Sequence, residues 1–72
     1  MDDLINIVSL QLGERDVSPK SHFVEDLGAE SMDIVNIIAA VEDKFSIKIR
    51  EDEISDIRTL TDLHRLIEEK HS

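Results

Sequence analysis

The apolar spacing of residues 31–45 constrains the fold of this chain more than any other feature of its sequence. Large apolar side chains recur there three or four positions apart, which is the spacing of one face of an α-helix. They are Ile34, Ile37, Ile38, Val41 and Phe45. A second, narrower apolar stripe on an adjoining face consists of Met32, Val35 and Ala39. A surface helix needs only the first set, so the second stripe indicates neighbouring helices or a partner that binds there.

The remaining apolar residues predict further helices joined by irregular connections. Helical spacing predicts a first helix over residues 2–12 and a last helix over residues 60–69. Residues 51–57 predict a short helix or turn, and residues 46–50 an extended loop whose two isoleucines reach the core. We therefore predict an all-α fold, a small bundle of three longer helices plus one short helix.

The length and composition indicate one small domain with an aliphatic core. A chain of 72 residues buries only about 60% of its unfolded surface, so it has room for one core and no deep cleft. It contains two Phe and no Trp or Tyr, which leaves the core to Ile, Leu and Val. We expect residues 1–72 to form a single domain and a monomer.

The charge balance favours a basic partner. Eight basic and 17 acidic residues give a formal net charge of −9, which argues against nucleic acid and anionic membranes as partners. The absence of Cys excludes disulfides, thiolate metal sites and a cysteine nucleophile. We expect neither a membrane span nor a secretory signal, because the sequence has no long apolar run and opens with Met-Asp-Asp, which lacks a positive region. We expect a cytoplasmic location.

Few residues are placed for catalysis or metal binding. The acidic run over residues 51–53 lacks the alternating ligands and central Gly of a calcium loop, so we expect no metal site. His22 is the histidine nearest to Ser31 in sequence, and nothing positions it as a base. Ser31 stands out because a turn glycine precedes it, acids flank it and the second apolar stripe follows it. A serine in this position is ordinarily a helix cap.

The residues around Ser31 form a recognisable motif. The stretch FVEDLGAESMD at residues 23–33 resembles the signature of acyl carrier proteins, which are phosphopantetheine-binding carriers. The resemblance continues through VEDKFSIKI at residues 41–49 and extends to Leu63, so that it covers nearly the whole chain.

The resemblance implies a carrier and no enzyme. Ser31 would hold a 4′-phosphopantetheine arm, which a phosphopantetheinyl transferase takes from coenzyme A. The thiol of the arm would hold acyl intermediates as thioesters and deliver them to enzymes of fatty-acid, lipid or polyketide-type synthesis. The partners would be acyl-transferring and chain-elongating enzymes that carry basic docking patches.

The resemblance also implies a partner-binding surface centred on the helix after Ser31. Asp33, Glu42 and Asp43 would be its acidic contacts, together with Glu30 beside the serine. The stripe of Met32, Val35 and Ala39 would be its apolar part. Glu53 and Ile54 would extend the surface onto the short third helix.

Some positions depart from the usual family pattern. Glu30 replaces Asp before the serine, Met32 replaces Leu after it, and Asn36 stands where an acid is frequent. These departures leave open whether the chain is the general fatty-acid carrier or a specialised carrier that serves one pathway of lipid, polyketide or similar synthesis. Two further alternatives also stay open. One is a specialised aminoacyl or peptidyl carrier, and the other is a small acidic helical adaptor that binds a basic partner without modification.

Overall fold

Four helices make up the regular structure of the computed structural model, which describes residues 2–71. They are α1 (Asp2–Leu12), α2 (Ser31–Phe45), α3 (Glu51–Ile54) and α4 (Leu60–His71). The predicted bundle of three longer helices and one short helix is confirmed. The bounds of α1 and α2 match the prediction, whereas α3 is shorter and α4 is two residues longer than predicted.

One aliphatic core lies between the helices. α1 contributes Leu4 and Val8, and α2 contributes the predicted inner face around Ile37 and Val41. α4 lines the opposite side of the core, where Leu63 has no exposed surface. The buried apolar residues are Leu4, Val8, Phe23, Ala29, Ile37, Ile38, Val41, Ile49, Ile57, Leu60, Leu63 and Ile67.

The long connection between α1 and α2 is fastened to the start of α4. The Phe23 N–H donates to the Arg58 carbonyl at 2.9 Å, and the Thr61 N–H donates to the Pro19 carbonyl at 3.0 Å. His22 and Thr59 form an isolated antiparallel bridge between these two hydrogen bonds. Because Phe23 is buried, this connection is anchored by both packing and hydrogen bonds.

The connection from α2 to α3 runs as the extended loop that the sequence predicts. Ser46 ends α2 in the left-handed conformation, with φ 55°. Ile49 beyond it is buried, and its N–H donates to Glu42 Oε2 at 2.8 Å. Ile47 also packs against the core. Within residues 2–71, no helix is long and apolar enough to cross a membrane.

Candidate functional site

A compact turn brings the chain to the start of α2. The N–H groups of Asp26 and Leu27 both donate to the His22 carbonyl, at 2.9 and 3.1 Å. Gly28 then adopts φ 64°, a left-handed conformation that glycine reaches without steric cost. Ala29 follows as a buried residue whose N–H donates to the Phe23 carbonyl at 2.8 Å. The turn therefore fixes the backbone two residues before Ser31.

Ser31 is the first residue of α2, and its side chain is exposed. Glu30 before it is extended, with φ −94° and ψ 171°, and is the N-cap. The first hydrogen bond inside the helix runs from the Ile34 N–H to the Glu30 carbonyl at 3.1 Å. The N–H groups of Ser31 and the next two residues therefore have no backbone carbonyl to bond with inside the helix. Such a helix start favours a phosphate group on the serine, so this position fits a phosphodiester-linked arm.

The side chain of Asp33 forms a hydrogen bond with the residue before Ser31. Its Oδ2 accepts the backbone N–H of Glu30 at 3.0 Å, which is the reciprocal half of a capping box with Asp in the place of the usual Glu or Gln. The sequence indicated Ser31 as an ordinary helix cap, whereas Glu30 holds that position. The sequence did not reveal the Asp33 contact, although the i, i+3 spacing was a usable signal.

The outer face of α2 is apolar and exposed. Met32 is 67% exposed and Val35 52% exposed, and Ala39 is exposed as well. The inner face of the same helix buries Ile37, Ile38 and Val41. The two apolar sets thus lie on different faces, and the second set takes no part in the core that residues 2–71 form.

The acidic residues named by the resemblance fall into two groups. Glu30 and Asp43 are exposed on α2 or its cap, and the side chain of Asp43 makes no hydrogen bond or ion pair within the described residues. Asp33, Glu42 and Glu53 each accept a backbone N–H, from Glu30, Ile49 and Arg50 respectively. Ile54, beside Glu53 on α3, is partly buried against the core.

Glu53 has the most extensive set of partners. Its Oε1 accepts the Arg50 N–H at 3.0 Å and lies 2.9 Å from Lys70 Nζ on α4. The Arg50 backbone hydrogen bond, followed by Lys70, lowers the pKa of the Glu53 carboxyl. This contact between α3 and α4 joins residues far apart in the sequence, and the residue pattern gave no signal of it.

Groups for metal-dependent or nucleophilic chemistry are not assembled in residues 2–71. No group of three or more His, Cys, Asp or Glu side chains is arranged to hold a metal ion there. Within the same residues, no hydrogen bond joins Ser31 to a histidine, and the imidazole of His22 accepts the Glu25 N–H at Nδ1, at 3.5 Å. The arrangement around Ser31 therefore presents a hydroxyl group to solvent.

Comparison with known proteins agrees with this geometry. A family model described as the phosphopantetheine attachment site matches residues 2–67. The acyl carrier protein of Wolinella succinogenes is 42% identical over 69 residues, which cover 93% of this chain and 91% of that protein. The acyl carrier protein of Chlamydia trachomatis is 38% identical over 73 residues, which cover 99% of this chain and 95% of that protein. A crystal structure of an acyl carrier protein from Thermotoga maritima superposes with a TM-score of 0.80 at 31% identity, and the match covers 96% of this chain and 82% of that one.

The fold and the matched family model place this chain among proteins that carry a phosphopantetheine group. The chain belongs to the acyl carrier protein family. Its prosthetic group is 4′-phosphopantetheine. The family implies interaction with a phosphopantetheinyl transferase and, in general terms, with enzymes of synthesis.

Proposed function

We propose that the Ser31 hydroxyl is the attachment point of the 4′-phosphopantetheine arm. The observation that carries this proposal is the placement of Ser31, exposed at the first position of α2 and next to a turn held by buried Ala29. The arm supplies a thiol that holds an acyl group as a thioester. The chain contributes the exposed hydroxyl and a helix start whose N–H groups favour the phosphate.

The outer surface of α2 is the docking surface in this proposal. It combines the exposed apolar stripe with acidic side chains, which suits enzymes that present basic patches around an apolar contact. On α2 and its cap, the residues of this surface are Glu30, Met32, Asp33, Val35, Ala39, Glu42 and Asp43, and Glu53 and Ile54 extend it onto α3. The protein acts as a carrier between enzymes of fatty-acid, lipid or polyketide-type synthesis and is no enzyme itself. Its location in this proposal is the cytoplasm.

Mass spectrometry tests the attachment point. Incubation with coenzyme A, Mg²⁺ and a broad-range phosphopantetheinyl transferase should add one phosphopantetheine group to the wild-type chain. Ser31→Ala should gain none, whereas Ser46→Ala should gain one, because Ser46 is an exposed serine at the other end of α2. An unmodified wild-type chain beside a modified control carrier would refute the proposal, and so would modification of Ser31→Ala.

The docking surface has a matched control on another helix. Leu10 on α1 is 85% exposed and lies outside the stripe, so Leu10→Ala removes exposed apolar surface without touching α2. We expect Met32→Ala and Val35→Ala to raise the KM for loading by an acyltransferase, while Leu10→Ala leaves the KM at the wild-type value. Equal effects of all three substitutions would contradict a docking role for the stripe.

A further inference from the structure

The carboxylate of Asp33 is directed back onto the chain that leads into the serine. Its Oδ2 accepts the Glu30 N–H at 3.0 Å, and the side chain is only partly exposed. Glu30 is the residue whose extended conformation sets the direction in which Ser31 enters α2. A contact on this N–H therefore restrains the backbone that leads into Ser31.

Asp43 shows what an acid on the same helix looks like without such a contact. It is exposed, and within residues 2–71 its side chain makes no hydrogen bond or ion pair. Asp43 therefore has no side-chain contact through which it could position Ser31, and it can affect a partner only by acting on that partner directly. Asp33 carries the same charge and in addition an acceptor atom with a defined donor.

We propose that Asp33 is a positioning residue for modification of Ser31, acting through the hydrogen bond from the Glu30 N–H to its carboxylate. This inference rests on the proposed function of Ser31 and deepens it. The contact holds Glu30 in its extended conformation, which keeps the Ser31 hydroxyl in a fixed position at the start of α2. Asp33 thus contributes geometry to the transfer, whereas Asp43 contributes attraction between the two proteins.

Removing the acceptor and removing the charge have separable consequences. An Asn side chain keeps an acceptor oxygen at the position of the Asp carboxylate and loses the charge. Ala loses both. Since misplacement of a reacting group lowers the rate of the chemical step, loss of the acceptor should lower kcat, while loss of a docking charge should raise KM through slower encounter.

The experiment compares Asn and Ala substitutions at both positions. The kcat and KM of phosphopantetheine transfer are measured with coenzyme A, Mg²⁺ and one transferase for wild type, Asp33→Asn, Asp33→Ala, Asp43→Asn and Asp43→Ala. At position 33 we expect Asn to keep kcat within about threefold of wild type and Ala to lower it by about tenfold or more. At position 43 Asn and Ala should behave alike and change only KM.

Hydrogen exchange supplies a measurement that does not depend on modification. The Glu30 amide should exchange at the wild-type rate in Asp33→Asn and faster in Asp33→Ala, with amides in the middle of α2 unchanged. If Asp33→Ala fails to fold, Asp33→Asn alone decides the matter: a retained kcat and a protected Glu30 amide support the proposal, and a tenfold loss of kcat overturns it.

Each other outcome has a definite meaning. Asn and Ala variants of Asp33 that are equally defective would show that only the charge matters, and an Asp33→Ala variant with wild-type kinetics would show that the contact is dispensable. Either result overturns the positioning role while leaving Ser31 as the attachment point. A wild-type chain that accepts no arm would overturn the attachment at Ser31 and the positioning role together.

Discussion

α2 and α3 begin with the same chemistry and then differ completely. Each follows an extended N-cap residue, Glu30 or Arg50, whose N–H donates at 3.0 Å to the carboxylate three positions on. α2 then continues for 15 residues with three of them buried, whereas α3 has four residues and none of them buried. A cap therefore starts a helix, and burial of an apolar face sustains it.

The sequence after each cap explains the difference in length. α2 repeats an apolar residue every three or four positions through Phe45. The segment after Arg50 has only Ile54 and Ile57 among its acids, so that only one helical turn can pack against the core. This contrast makes α2 the rigid platform of the proposed site and makes α3 an element that depends on a few side-chain contacts.

The largest expected effect on stability comes from removing a core side chain of α2, compared with a side chain of α3. Ile37 on α2 is 1% exposed, so Ile37→Ala should destabilise the protein by about 2 to 5 kcal/mol. Ile54 on α3 is only partly buried, and Ile54→Ala should cost about 1 kcal/mol, since less apolar surface returns to water. Urea unfolding followed by circular dichroism measures both values. Equal losses would mean that α3 is packed as firmly as α2.

The helical spacing of α2 was sufficient to predict both its bounds and its inner face, because the information is local. The acid side chains illustrate what local patterns leave out. The Glu30–Asp33 and Arg50–Glu53 contacts repeat a spacing of three residues and could have been found. Two other contacts depend on how distant segments fold back on each other, so residue spacing cannot predict them. They are the hydrogen bond from the Ile49 N–H to Glu42 and the ion pair of Glu53 with Lys70.

A similar division applies to the candidate site. The motif around Ser31 indicated the serine, the turn glycine and the stripe from residue types alone. The attachment of the preceding connection to α4, through Phe23 and Arg58, could not be predicted because these residues lie 35 positions apart (58 minus 23). Only the assembled fold shows how firmly the turn before Ser31 is held.

A second prediction concerns the cap of α4. Asp62 accepts the N–H groups of Arg58 and Thr59 at 3.1 and 3.2 Å, and its own N–H donates to Thr59 Oγ1. The Arg58 backbone hydrogen bond is the main reason that the pKa of the Asp62 carboxyl is lowered from 3.8. Asp62→Ala should destabilise the protein by about 1 kcal/mol at neutral pH.

The pH dependence of that loss has a definite sign. Because the pKa of Asp62 is lower in the folded state, the stabilisation by its carboxylate is complete above the unfolded pKa near 3.8 and is lost as the pH falls through the folded value. The difference in unfolding free energy between wild type and Asp62→Asn should therefore shrink below pH 3.8. A difference that stays constant from about pH 6 to about pH 2.5 would contradict this account.

A third and smaller effect is expected where α2 ends. Ser46 is the C-cap with φ 55°, a conformation that carries a steric cost for residues with a Cβ atom. Ser46→Gly should change stability by at most about 1 kcal/mol, in the stabilising direction, because relief of that cost exceeds the entropy that glycine loses. Thermal melting measures the change.

Gly28→Ala makes the opposite change at a residue with φ 64°. A Cβ atom added there would meet no neighbour, so the backbone conformation alone should destabilise the protein, by about 1 kcal/mol.

The smallest effect on global stability should come from Lys70, and it tests the comparison most directly. Lys70 Nζ lies 2.9 Å from Glu53 Oε1. This ion pair is a side-chain contact that joins α3 to α4. Lys70→Met keeps the long apolar stem and removes the charge, so α3 should open locally more often while the midpoint of urea unfolding hardly moves. Hydrogen exchange should then quicken in residues 51–57 and remain unchanged in the middle of α2. High salt should reduce the difference between wild type and variant, because it screens a partly exposed ion pair. If exchange quickened equally in both helices, α3 would be part of the same cooperative unit as α2, and burial alone would not account for the difference between them.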